Sequence, residues 1–133
     1  MAAQPVRALV AGHGTFAAGL ISAVEQIAGL GGLFTPLSNT DLGAGDIRTM
    51  IAEALDRTGA HVVFTDLPAG SCTMAVRRMI RERPGVLLVT GVNLSLLLDF
   101  AMQDHEDPVQ ALQSALDRGR ASMVVHGAIP AVA

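Results

Sequence analysis

Short apolar runs without polar interruption alternate with segments of helical periodicity along almost the whole of this 133-residue chain. Val6–Ala11, His61–Thr65 and Gly85–Thr90 are such runs, and Leu33–Leu37 is a weaker one. An unbroken apolar strand belongs in a parallel sheet covered on both faces, because alternation is lost when neither face meets water. Between the runs, Phe16, Leu20, Val24 and Ile27 fall at helical spacing, and Gly29-Leu30-Gly31-Gly32 ends that pattern. Ile47, Met50, Ile51, Ala54 and Leu55 give a second apolar stripe, with Asp46 as the expected N-cap and Gly59 as the stop. Helices are further expected over Ser71–Arg83 and Asn93–Gln103, and from Pro108 onward behind an Asp107 cap. Ser122–His126 is a candidate short last strand.

Right-handed crossovers turn this order into a doubly wound α/β fold, mainly parallel, with helices on both faces. Pro36 cannot donate to a ladder and confines the second strand to an edge. The strand order 2-1-3-4 follows, and it makes strands one and three neighbours. No linker, repeat or low-complexity tract divides residues 1–133, which are expected to form one domain of ordinary size.

In such a sheet, chemistry gathers at the carboxyl ends of the strands, near the point where strand order reverses. Strand one ends in Gly12-His13-Gly14, and strand three in Thr65-Asp66-Leu67-Pro68-Ala69-Gly70-Ser71. The order 2-1-3-4 therefore sets His13 beside Asp66. A carboxylate that accepts the hydrogen of one ring nitrogen fixes the tautomer and leaves the other nitrogen as a nucleophile. Gly70 and Ser71 open the next helix, where backbone N–H groups and the macrodipole favour phosphate oxygens. A lone Gly-His-Gly is more often a plain turn, and Asp66 or Ser71 alone more often a cap. All three in one crevice favour phosphoryl chemistry.

Composition removes several other classes. All nine basic residues are arginine, so Schiff-base chemistry and a P-loop lysine are excluded. A net charge of −3 argues against nucleic acid. The single cysteine cannot form an internal disulfide, and the N-terminus carries no signal-peptide pattern, so a cytoplasmic location without membrane insertion is expected. Cys72 and Arg78 match the C-x5-R spacing of cysteine phosphatases, but the residues between them form the first turns of an apolar-faced helix. Arg77, Arg78, Arg81 and Arg83 make a basic helix end, either a solvated face or a docking patch. Asp104-His105-Glu106-Asp107 is expected to be an acidic surface turn and not a metal site. His61 lies at the opposite end of its strand from the site. No metal and no cofactor are expected.

Over about residues 6 to 126 the chain resembles the enzyme IIA proteins of the mannose family of the bacterial phosphotransferase system, which includes fructose, sorbose and N-acetylgalactosamine systems. Gly12-His13-Gly14, Thr65 through Ser71, and Gly91-Val92-Asn93-Leu94 carry the resemblance. It implies that His13 takes a phosphoryl group from the carrier HPr and passes it to a IIB component. It also implies that Asp66 orients His13, and that Gly70 and Ser71 contact the phosphate. A homodimer that exchanges the C-terminal strand, here Ser122–His126, is a further implication. Ala69 and Leu67 depart from the family's usual glycine and hydroxyl residue at those places. The phosphocarrier subunit of a dihydroxyacetone kinase shares the fold and histidine, but its usual Asp-Met-Gly-Ser-Ala fits residues 66–70 less well. A regulatory protein sensed through its phosphorylation state is the third reading.

Overall fold

The computed structural model describes residues 6–128. Four parallel strands form one sheet in the order β2-β1-β3-β4, with β1 at Ala8–Gly12, β2 at Phe34–Ser38, β3 at Val62–Thr65 and β4 at Leu87–Val89. Helices α1 (Phe16–Ala28), α2 (Ala44–Thr58) and α3 (Ser71–Met79) form the crossovers, and α4 (Leu94–Met102) and α5 (Pro108–Ala121) follow β4. Pro36 sits in the edge strand opposite Val10, as its missing N–H requires.

Alternate residues of the buried strands serve opposite layers. Ala8, Val10, Val62 and Phe64 face α1, α4 and α5, where Val24, Leu97, Phe100 and Leu112 meet them. Leu9, Ala11 and Val63 face α2 and α3, where Ile47, Ile51, Cys72, Val76 and Met79 complete a second apolar layer. The first layer centres on Phe34, Phe64 and Phe100, whose rings meet at centroid distances of 5.2 to 6.3 Å. With so few aromatics in the chain, this trio accounts for much of the large-residue packing on that face.

Several local expectations change. The N-cap of α2 is Gly43, in extended conformation, and Asp46 lies inside the first turn. There its carboxylate faces the positive end of the helix dipole without capping it. Helix α3 stops at Met79 and not at Arg83, and Pro84 disfavours helical geometry at Arg83, the residue before it. The chain instead turns, with the N–H groups of Glu82 and Arg83 both donating to the Met79 carbonyl. Arg81 and Arg83 therefore lie beyond the helix. Arg83 pairs with Asp56 through two bonds of 2.9 and 3.3 Å, tying that turn to α2.

The segment Ser122–His126 forms no strand among the described residues. A strand needs a neighbour with free N–H and C=O groups, and this segment meets none among the described residues. Met123, Val124 and Val125 remain 73, 68 and 73% exposed. His105 is not on an acidic surface. It is buried and stacked on Phe100 at 4.5 Å, its Nδ1 accepting from the Val6 N–H and its Nε2 donating to the Phe100 carbonyl. That pattern demands a neutral ring with the proton on Nε2. The imidazole is a cross-brace between the approach to β1 and the end of α4.

Candidate functional site

The parallel register of β1 with β3, Ala11 opposite Thr65, brings the next residues of both strands to one edge of the sheet. One carboxylate oxygen, Asp66 Oδ2, accepts twice from His13: from the main-chain N–H at 2.9 Å and from ring Nδ1 at 2.7 Å. A carboxylate only accepts, so Nδ1 carries the proton and Nε2 presents its lone pair outward. Burial separates the two partners: the Asp66 side chain is 8% exposed and that of His13 is 55% exposed. The base of the pair is therefore rigid and its reactive face open.

Gly12 makes this approach possible. A Cβ on that residue would lie 2.9 Å from Asp66 Cγ and Oδ2 and 3.0 Å from the Phe16 ring. Burial pushes the Asp66 carboxyl toward a higher pKa, but the ring and main-chain hydrogen bonds from His13, together with the positive charge the ring carries whenever it is protonated, outweigh it, so the group ends below its ordinary value. The carboxylate is thus held ionised under the imidazole. Its other oxygen, Oδ1, is buried without a partner among the described residues, a cost set against the two hydrogen bonds that Oδ2 accepts.

Gly70 lies close beside the His13 ring. A Cβ there would come within 3.3 Å of His13 Cε1 and 3.6 Å of Asp66 Oδ1. Gly70 is also the N-cap of α3, its carbonyl accepting from the Met74 N–H. The N–H groups of the first turn, beginning at Ser71, have no acceptor within the helix, and the turn starts directly after Gly70, the residue beside the His13 ring. Ser71 is the first residue of α3 and not its cap, and its Oγ accepts a 2.7 Å bond from Asn39 Nδ2. The loop between Asp66 and Gly70 is braced from inside. The buried Thr73 hydroxyl lies 2.6 Å from that of Thr65 and bonds the Leu67 carbonyl. Having a single proton, Thr73 donates to the carbonyl and accepts from Thr65.

The structure thus brings His13, Asp66, Gly70 and Ser71 to one place. It adds Asn39, Thr65 and Thr73, which the sequence reading missed. Asn39 had a usable signal, since it directly follows β2, the other neighbour of β1. Thr65 opened the Thr65–Ser71 motif without a role of its own and Thr73 had no signal, because a strand threonine and a helix threonine eight residues apart do not name each other as partners. Cys72 is fully buried, and burial together with the nearby Asp66 charge pushes its thiol up to about 11. A buried neutral thiol on the apolar side of α3 is no nucleophile, and Arg78 is exposed. Arg78 and Arg48 border a shallow cleft beside Ser71 and Met74. Among the described residues, no group of three or more His, Cys, Asp or Glu side chains is placed to hold a metal ion. No helix among them is long and apolar enough to cross a membrane.

Residues 7–116 match the family of PTS system fructose IIA components. Among solved structures, the chain is similar to a protein of Klebsiella pneumoniae described as a phosphoenolpyruvate-dependent sugar phosphotransferase system permease. The identity is 26% and the TM-score 0.80, over 94% of this chain and 95% of that one. The mannose/sorbose specific IIA subunit of Enterococcus faecalis superposes with TM-score 0.78 at 16% identity, over 98 and 100% of the two chains. The IIA protein associated with the fucose utilization operon of Streptococcus pneumoniae does so with TM-score 0.79 at 22% identity, over 94 and 96%. These last two likenesses establish the fold. No curated protein matches the chain.

Proposed function

Given that this chain belongs to the PTS fructose IIA component family, we propose that it is a phosphoryl carrier that is charged on His13 by phospho-HPr and discharged to a IIB component during sugar uptake. The observation that carries this reading is the 2.7 Å contact of His13 Nδ1 with a buried carboxylate, which leaves Nε2 free beside the first turn of α3. A new N–P bond forms at Nε2 as the bond from phosphorus to the donor breaks. The ring proton stays on Nδ1, and the positive charge that gathers on the imidazole is balanced by Asp66. The phosphoryl oxygens meet the N–H groups of the α3 first turn and the Ser71 hydroxyl, donors already oriented before the group arrives. Transfer onward runs the same steps in reverse. No cofactor is needed, because the group is only handed on.

The carrier works in the cytoplasm on this reading, and residues 1–133 act as one domain, supported by the single sheet that both apolar layers share. The exposed Met123, Val124 and Val125 fit a homodimer in which this segment is covered by a second subunit.

The test is incubation with phosphoenolpyruvate, enzyme I and HPr. One acid-labile, base-stable phosphoryl group per chain is expected. His13→Ala should abolish it, while His61→Ala and His126→Ala should retain it. Full labelling of folded His13→Ala refutes the assignment.

A further inference from the structure

We propose that Asn39 is a positioning residue that turns the Ser71 hydroxyl proton toward the phosphoryl group, an inference that rests on the carrier reading above. Asn39 directly follows β2 and is fixed on both sides of its backbone. Its N–H donates to the Gly12 carbonyl at 3.1 Å, and its carbonyl accepts from the Leu42 N–H at 3.0 Å. The neighbouring Ser38 and Thr40 close the turn around it, with their hydroxyls 2.8 Å apart and the Thr40 N–H donating to Ser38 Oγ at 3.2 Å. The side chain is thereby aimed across the carboxyl edge of β1, onto the start of α3. There Nδ2 donates to Ser71 Oγ at 2.7 Å.

The consequence concerns the direction of one proton. An amide nitrogen only donates, so Asn39 occupies a lone pair of Ser71 Oγ and leaves its O–H to be given elsewhere. Ser71 donates no hydrogen bond to any of the described residues, and its side chain is exposed. It adjoins Gly70, where a Cβ would come within 3.3 Å of His13 Cε1. An exposed serine would otherwise rotate among three staggered positions and spend part of its time donating to its own helix or to water. The amide removes that freedom before the phosphoryl group arrives, which lowers the reorganisation needed in the transition state. The same bond joins the ends of β2 and α3, while the Asn39 main chain joins β2 to β1. A single residue therefore links three edges of the site.

A plain strap between loops would share these contacts, and a double-mutant cycle separates the two roles. The rate of phosphoryl transfer from phospho-HPr is measured for Asn39→Ala, Asn39→Asp, Ser71→Ala and both combinations, each with a melting curve. Loss of one oriented neutral hydrogen bond in Asn39→Ala should slow transfer by roughly three- to ten-fold. Asn39→Asp should be slower still, because a carboxylate takes the Ser71 proton for itself. In the Ser71→Ala background neither substitution should slow transfer further. An equal slowing by Asn39→Ala with and without the serine makes Asn39 a strap and overturns the proposal. So does wild-type transfer in a folded Asn39→Ala or Asn39→Asp. A wild-type chain that takes no label overturns the carrier reading itself, and the positioning role with it. That failure is distinguishable, because it appears before any Asn39 variant is made.

Discussion

Replacing Asp66 by asparagine preserves the shape of the site and removes the charge on which its chemistry depends. The amide oxygen can still accept the His13 main-chain N–H and ring Nδ1–H in the place of Oδ2. Two things change. The amide NH2 then occupies the position of Oδ1, which is buried and has no partner among the described residues. The imidazolium formed during attack also loses its counter-charge. A charge-assisted hydrogen bond is worth about 1.5–3 kcal/mol, and each 1.36 kcal/mol corresponds to a tenfold change in rate, so transfer should slow by roughly ten- to a hundred-fold. The assay is rapid-quench transfer from phospho-HPr, with Glu53→Gln as the control. Asp99 is unsuitable as a control, because its Oδ2 accepts from Gln103 and Ser114 and joins α4 to α5. The same variant tests the electrostatics. The folded pKa of Asp66 lies below its ordinary 3.8, so its stabilising contribution is complete above the unfolded value and is lost as pH falls through the folded one. The melting-temperature gap between wild type and Asp66→Asn should therefore hold steady from neutral pH down to the unfolded value and narrow only at more acid pH. Transfer by a folded Asp66→Asn at the wild-type rate would refute the reasoning.

A Cβ at Gly12 collides with Asp66 and Phe16, so Gly12→Ala should cost about 1–3 kcal/mol in denaturant unfolding and also slow transfer by moving the carboxylate; a normal rate would show that the Asp66 placement is not critical. Cys72, buried and held as a thiol, should resist alkylation in the native protein at pH 8 and react only on unfolding, and Cys72→Ala should transfer at the wild-type rate; rapid native alkylation counts against the burial. His105→Ala removes two hydrogen bonds and a stacked ring and should cost about 2–4 kcal/mol, lowering the melting temperature while leaving labelling per folded molecule unchanged. A variant as stable as wild type would remove His105 from the core framework.

The amino-acid pattern alone carried the layered architecture. Unbroken apolar runs called for a doubly covered parallel sheet, and Pro36 placed β2 at an edge. Those two facts sufficed for the order 2-1-3-4, and the adjacency of His13 and Asp66 followed from it. Periodicity and backbone sterics act over a few residues, so they leave a mark on the local sequence. Beyond the His13–Asp66 pair, the tertiary structure decided which polar residues far apart in the chain meet. The Asn39–Ser71 bond spans 32 residues and the Val6–His105 bond 99, and nothing in the sequence around Asn39 or His105 names the residue it meets. The Thr65–Thr73 brace is equally silent, because a hydroxyl fits a strand or a helix without its partner. Even the first residues of α2 depended on where the loop after β2 was anchored, which moved the cap from Asp46 to Gly43. Ser122–His126 has strand-like composition, but a strand forms only where another backbone offers its free N–H and C=O groups. Among the described residues, this chain offers that segment none.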